Sequence, residues 1–344
     1  MLSEDFDLAI GDVHMGMPLS EVIDRLCSMC AELSDEEPEA LERLDNVLYP
    51  LLIVERTMDV AVISTFKRLG AGSFATVFVS AARGGVVVKQ VKDPADAKLL
   101  CKEHNDLEIL IKACDAAGPS FFSLPRPYGF YNDCFTFARE AGIPCTMDLG
   151  LPPHALYVMQ RIWPVPASLT ERIRELFFPV AVKNQPFAPF LARLYLGRAH
   201  SRMSYRFFCP ENFPLDAARI EELALPASQI AAGMGQMLAT INFRAGRDAR
   251  GIKFILCGDA DNPLRKQPAY SCIGFNQMRA HNGDADVIVS AIAMNDFNYP
   301  RPSSPLWASF VNAYTAEASL VDSSSAMLAH QVLAALHKQW TSQQ

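Results

Sequence analysis

The sequence lacks an apolar run of the roughly 20 residues that a membrane-spanning helix needs, so no such helix is expected. It also lacks a basic segment ahead of an apolar stretch. The opening MLSEDFDLAIGDVHMG is acidic instead, which argues against a secretory signal. Paired cysteine motifs are missing too. Nine cysteines are scattered singly apart from Cys27-x-x-Cys30, and no second Cys/His pair at metal-binding spacing follows. A disulfide framework is therefore not expected, and zinc would lack half its ligands. Reduced thiols in a cytoplasmic protein fit better, with Cys27 and Cys30 as two apolar positions on a helix. No internal repeat and no low-complexity tract occurs.

What is present is enough apolar content, 50% of 344 residues, to fill a large domain or two lobes. The formal charge of −7 hides an asymmetry. Residues 1–60 hold 15 acids and 3 bases, whereas the remainder holds 23 acids and 28 bases. An acidic arm on a mildly basic body leaves nucleic-acid binding open without establishing it.

Three segments differ in pattern. Residues 1–60 carry apolar positions at helical spacing (Leu19, Val22, Ile23, Leu26, Leu41, Leu44) and read as a helical extension. Residues 61–165 open with short β-rich runs, AVISTFKRLG, ATVFVSAA and GVVVKQV, the last two separated by Gly84-Gly85, which suits a hairpin. A strong helix, PADAKLLCKEHNDLEILIKACDAA, follows, and then a strand in HALYVMQRIWPVP. Residues 166–344 are expected to be mainly helical. PFLARLYLGRAHSRMSYRFF and LPASQIAAGMGQMLATINFRAG are the clearest helices there, with strands in IKFILCG and YSCIGFNQ.

The order of these parts carries chemistry. Gly70-x-Gly72, followed by Ser73 and Val77, is a glycine loop whose backbone can approach phosphates. Lys89 lies in the next β-branched run, and Glu103 on the helix after it would hold that lysine in place, with Glu108 in reserve. The plain alternative is an ordinary hairpin with a solvated lysine. This order resembles the protein-kinase-like fold over residues 66–320: α+β, with a small antiparallel β lobe and a larger helical lobe. That resemblance implies adenine binding by the backbone near YVMQRI. It also implies a base and two metal ligands in the second half. Asp248 in FRAGRDARGIKFIL can stand for the base. Five residues later comes Lys253, and Gly274-Phe275 stand where Asp-Phe would be. A lysine beside Mg²⁺ is repelled strongly at low dielectric, so Mg-ATP chemistry would need Asp259, Asp261 or Asn276 to substitute.

FLARLYLGRAHSR, ENFPLDAARIEEL, INFRAGRDARGIKFILCG, IGFNQM and PLWASFVNAY resemble a narrower, fungal family with a degenerate kinase-like core, over residues 65–320. It includes arginine-containing cyclodipeptide synthases, which condense arginine from arginyl-tRNA with a second aminoacyl group into a diketopiperazine. The family carries His-Trp where Asn242-Phe243 stand, Asp-Val-Glu-Phe at Gly251 to Phe254, and Asp-Phe-Asp near Gly274 to Asn276.

That resemblance implies arginyl-tRNA and a second aminoacyl-tRNA as partners, neither DNA nor membrane, and neither ATP nor metal in the condensation. An aminoacyl ester is already activated. The site must bind a terminal adenosine, hold a guanidinium, free an α-amine and stabilise an oxyanion. Gly70, Gly72, Ser73 and Lys253 are candidate substrate contacts. Asp248, Asp259 and Asp261 could hold the guanidinium, since paired carboxylates suit it; CGDADNP reads equally well as a surface turn. Asp248, Lys89 and Glu103 form the candidate catalytic set. Ser73 and Cys257 are possible nucleophiles if an acyl-enzyme forms. Arg193, Arg198, Arg202 and Arg206 recur along one expected helix, with Arg247 and Arg250 in a second cluster. Both could contact tRNA phosphates, or be structural arginines on solvated faces. The histidines show no pattern that marks a base.

Overall fold

The computed structural model describes residues 66–80, 85–141, 150–197, 208, 210, 213–259 and 267–342. The expected helical extension over 1–60, Cys27 and Cys30 lie outside them. The chain divides into two compact units. The first comprises Met1–Lys67, Ser80–Arg83 and Phe135–Leu151; the second comprises Arg68–Val79, Gly84–Cys134 and Pro152–Gln344. In the first, Phe66 and Phe137 meet edge to face at 5.9 Å.

The second unit holds two sheets and most of the helices. Strands β1 (Phe66–Ala71), β2 (Ala75–Ser80) and β3 (Val86–Val91) come first, and helix α1 (Ala97–Ala117) follows. Next are β4 (Pro127–Tyr131) and β5 (Leu156–Gln160), with α2 (Cys134–Glu140), which from Phe135 on belongs to the first unit, between them in the chain. These five strands form one sheet in the order β1-β2-β3-β5-β4. Its pairings are antiparallel where β3 meets β2 and β5, with Lys89 opposite Val77 on one side and Tyr157 on the other. The runs form strands because β-branched valines at 86, 87, 88 and 91 suit a pleated surface, and Val87, Val88 and Val91 are buried.

Helix α1 owes its position to an apolar stripe, Leu100, Leu107, Leu110 and Ala113, all buried. Glu103, His104 and Asp106 are buried along with it. Three buried polar residues on a core-facing helix must be paired or functional, since burial without a partner is costly.

The helical part contains α3 (Ala167–Phe177), β6 (Ala192–Tyr195), β7 (Phe213–Asp216), α4 (Ala217–Glu222) and α5 (Ala227–Ala239). A π-type turn at Thr240–Arg244 ends α5. Then come β8 (Lys253–Gly258), β9 (Pro268–Ile273), α6 (Ala285–Met294), α7 (Trp307–Val321) and α8 (Ser323–Thr341). The second sheet runs β7-β6-β8-β9. β8 and β9 are the two strands expected from IKFILCG and YSCIGFNQ.

The expected helix over PFLARLYLG is corrected: Ala192–Tyr195 is a strand, parallel to β7 and antiparallel to β8. The alternation decides it. Ala192 and Leu194 are buried while Arg193 and Tyr195 are half-buried, a period of two. The four-residue spacing of the arginines masked that pattern.

Tight packing fixes the helical part. α5 and α7 approach so closely at Gly235 that any Cβ there would collide with the Phe310 carbonyl. Around them lies an aromatic core of Phe122, Phe254, Tyr299, Phe310 and Tyr314. Each large side chain so buried contributes about 1.5–3 kcal/mol by area. The result is an α+β arrangement of a small antiparallel sheet part and a larger, mainly helical part with a second sheet. Among the described residues, no helix is long and apolar enough to cross a membrane.

Candidate active site

The glycine loop lies between β1 and β2. Gly72 N–H donates to the Ala75 carbonyl at 2.9 Å, closing the turn. A Cβ on Gly70 would meet nothing within 4 Å, so the space over the loop is open. Ser73 is exposed. Phe74 folds inward, its ring centroid 5.7 Å from Lys89 Nζ.

Lys89 and Glu103 are brought together as expected. Nζ lies 2.5 Å from Glu103 Oε1, and the carboxylate is 1% exposed. Tyr157, across the strand pair, places its ring 5.9 Å from the same ammonium. Burial and the Glu103 charge push the Tyr157 phenol well above its ordinary value, so it stays neutral. Glu103 Oε2 is buried and has no hydrogen-bond partner. Glu108, the reserve partner, is exposed on α1.

On the opposite side stands Lys253, the first residue of β8. Burial lowers its pKa, and the charges of Arg193 and Lys89 lower it further, against an upward pull from Glu103. Two cations and one carboxylate therefore act on the Lys253 ammonium. Gly274 completes this corner with φ +91°. A Cβ there would lie 2.6 Å from the Gly251 carbonyl and 3.1 Å from Lys253 Nζ. The backbone thus strains any side chain at 274, and an ammonium stands beside that position. The residues present do not fit a two-carboxylate Mg²⁺ site. Among the described residues, no group of three or more His, Cys, Asp or Glu side chains could hold a metal ion.

Asp248 is placed differently from what a general base requires. It is 0% exposed. Its Oδ1 accepts the N–H groups of Arg250 and Arg279, at 3.1 and 2.9 Å, and its Oδ2 accepts from Arg250 Nε at 3.3 Å. The carboxylate organises the loop between the π-type turn and β8. Its role as base, and as half of a guanidinium clamp, is corrected on that ground. Asp259 lies past the far end of β8, about 20 Å along the strand from Lys253 at ~3.3 Å per residue. It lines a separate cavity of about 660 Å³ with Asp115, Arg126, Gln160 and Tyr270. Asp248 and Asp259 therefore flank opposite ends of the strand and cannot grip one guanidinium. Asp261 lies outside the described residues.

The expected tRNA-contacting arginines are also redistributed. Arg247 Nε pairs with Asp106 Oδ1 at 2.9 Å, and Arg250 pairs with Asp248. Both are interior ion pairs, so the second basic cluster is not a free phosphate-binding surface. Arg193 is on β6 and half-buried, and Arg198, Arg202 and Arg206 lie outside the described residues. Cys257 is not a nucleophile: its thiol is buried, donates to the Ala269 carbonyl, and is pushed up to about 12 by desolvation.

Sequence reasoning missed two residues. Asp106, 3% exposed, binds Lys102 Nζ at 2.6 Å as well as Arg247, and Lys102 also donates to the Met278 carbonyl. This ties α1, and so Glu103, to the Asp248 loop and to the segment after Gly274. Its signal was an acid falling among the buried positions of an otherwise apolar stripe. Asn242, 0% exposed, donates to the Arg247 carbonyl and accepts from Tyr314 Oη. The sequence marks Asn242 only as a departure from the family's His-Trp; its partners come from loop and helix positions that spacing does not connect to it.

Neither a family model nor a curated protein matches the chain. Among solved structures, it is similar to the GDP and kanamycin complex of an aminoglycoside phosphotransferase, APH(2")-IIIa. There the identity is 8% and the TM-score 0.25, over 85% of this chain and 99% of that one. It is also similar to a GDP complex of a point mutant of an aminoglycoside phosphotransferase IIIa, at 12% identity and TM-score 0.24, over 86% and 94%. Likenesses at these values carry no functional inference.

Proposed function

We propose that the cleft takes the aminoacylated 3′ end of a tRNA and transfers the aminoacyl group without a metal ion. In this reading an arginyl group from arginyl-tRNA is joined to a second aminoacyl group and closed to a diketopiperazine. The observation that carries it is the Lys253–Gly274 corner, where Lys253 Nζ stands 3.1 Å from the place a 274 side chain would begin. Phosphoryl transfer from ATP relies on metal ions to neutralise developing charge. An aminoacyl ester needs only orientation, proton transfer and oxyanion stabilisation. Gly70 to Val77 and the Lys89–Glu103 pair would receive the terminal adenosine and its phosphate.

The test is incubation of the chain with tRNA, the twenty amino acids and a charging system, followed by mass spectrometry. Arginine-containing diketopiperazines should form, disappear on RNase treatment, and persist when EDTA is added after charging is complete. A complete absence of such products overturns the reading.

A kinase-like small-molecule phosphotransferase is the second reading. The Lys89–Glu103 ion pair favours it, since that pair positions nucleotide phosphates in kinase-like enzymes. It requires Mg²⁺-dependent consumption of ATP or GTP with an acceptor present, which the first reading does not. A non-catalytic scaffold would show neither activity.

A further inference from the structure

Within the aminoacyl-transfer reading, a residue is needed to take the proton from an α-ammonium before that amine can attack an ester. The acidic and imidazole groups near the cleft are paired or sealed in the interior: Glu103 Oε2 and His104 Nε2 are buried, without a hydrogen-bond partner among the described residues. Asp248 is fully buried with both oxygens accepting hydrogen bonds. Glu103 is held by Lys89. His281 has one ring nitrogen on the Asn242 carbonyl and the other on Gly283 N–H. His104 is buried against Phe130 and Tyr157.

Lys253 differs. It is only half-buried and opens β8. The charged groups facing it are Lys89 from β3, Arg193 from β6 and Glu103 from α1. Gly274 beside it brings no carboxylate to hold its proton. We propose that Lys253, as the neutral amine, is the proton acceptor that activates the attacking α-amine; this role rests on the aminoacyl-transfer reading. Burial and two neighbouring cations disfavour the ammonium, and the direction of its pKa is accordingly downward. An α-amino group titrates near ~8, so a lysine shifted toward that range can exchange protons with it.

The step balances. The Lys253 Nζ lone pair takes a proton from the α-ammonium of one aminoacyl ester. The freed amine forms a C–N bond to the carbonyl carbon of the other ester as the C–O bond to its ribose breaks. The departing ribose oxygen takes the second proton of the attacking nitrogen, and Lys253 returns to the neutral amine by giving its proton to water. A second round within the dipeptidyl ester closes the ring and releases the second tRNA. No oxidant, reductant or nucleotide triphosphate is consumed.

The full chain and its Lys253→Arg variant provide the test. Arginine keeps the charge but cannot give up its proton in this pH range. Diketopiperazine formation should fall about 10²–10⁴-fold, the usual contribution of a positioned base, with tRNA affinity within about threefold of wild type. Wild-type turnover should rise with pH through a single ionisation that the variant lacks. Independently of turnover, trace acetic anhydride labelling with peptide mass spectrometry reads the titration of Lys253 directly. Its midpoint should lie below that of the same lysine in guanidinium-unfolded protein. Equal midpoints, or product from Lys253→Arg at the wild-type rate and pH profile, overturn the role alone. No product from wild type at any pH overturns the aminoacyl-transfer reading and this role with it.

Discussion

The two walls of the cleft contrast. The sheet-side wall holds a glycine loop, Lys89 and a buried Glu103 on α1 at 2.5 Å. The helical-side wall differs. Its loop is closed by Asp248, β8 begins with Lys253, and beside that lysine lies Gly274, where a Cβ would press on the Gly251 carbonyl. The sheet-side wall thus pairs its lysine with a carboxylate, whereas the helical-side corner sets its lysine near two other cations and a glycine.

The contrast predicts where substitutions act on stability and where they act on chemistry. The largest stability effect belongs to Asp248. Asp248→Ala leaves two main-chain N–H groups and the Arg250 guanidinium without their acceptor, in a residue 0% exposed. Removing one partner of a buried ion pair costs about 3–5 kcal/mol, and urea unfolding should show a loss of that size. If Asp248 were an exposed base, the loss would be under about 0.5 kcal/mol. Lys89→Met, on the other wall, leaves the Glu103 carboxylate buried without its ion-pair partner. Its cost should be about 1–3 kcal/mol, the penalty of one unsatisfied buried group, because Lys89 is itself partly open to solvent at 16%.

The two walls were unequally legible from sequence. The sheet side is local: the valine run, the glycines and the Glu103 helix lie within about forty residues, so spacing alone predicts their meeting. Helix α1 and strands β2, β3, β5, β8 and β9 follow from periodicity for the same reason. The helical side is assembled from distant pieces. Asp248 meets Arg279, Asn242 meets Tyr314, and Asp106 meets Arg247. In sequence, an aspartate in a Gly-Arg-Asp stretch looks alike whether it faces a substrate or its own backbone. β6 was misread because two periodicities compete in ARLYLGRAHSR, and the parallel partner that decides between them lies some twenty residues on. The readings of Lys253 and Gly274 as lost ligand positions needed only their place after Asp248, but the steric reason that 274 must be glycine is visible only in three dimensions.

Gly274 sharpens the contrast further. Gly274→Asp puts a carboxylate where a metal ligand would belong, at φ +91° and with its Cβ 2.6 Å from the Gly251 carbonyl. A non-glycine residue strained in this way costs about 1–3 kcal/mol. The variant should be less stable than wild type by that amount. It should gain no measurable Mg²⁺ affinity in calorimetry, because Lys253 remains beside it. Tight Mg²⁺ binding by this variant would show that the helical-side wall is one substitution from a metal site, and would restore the phosphotransferase reading.

The smallest effect separates the walls by alkaline titration. Cys114 and Cys257 are pushed up to about 11 and about 12, and Tyr270 to about 12, chiefly by desolvation. All three belong to the surroundings of the 660 Å³ cavity and the core behind it, away from the Lys89 side. A raised folded-state pKa means that the folded protein holds the proton more tightly than the unfolded chain. Their contribution is therefore complete below about pH 9, the unfolded thiol value, and is lost as pH rises through 11 to 12. Lys253 runs the other way: its lowered pKa makes folding less costly once the ammonium is neutral, so its contribution grows as pH rises toward the unfolded lysine value. Denaturation monitored from pH 7 to 10 should consequently show a shallow gain or plateau before the alkaline fall. Lys253→Met should remove the gain and leave the fall in place. Identical profiles for the two proteins, with no gain below pH 9 in the wild type, would mean that the cleft lysine contributes nothing to the pH dependence.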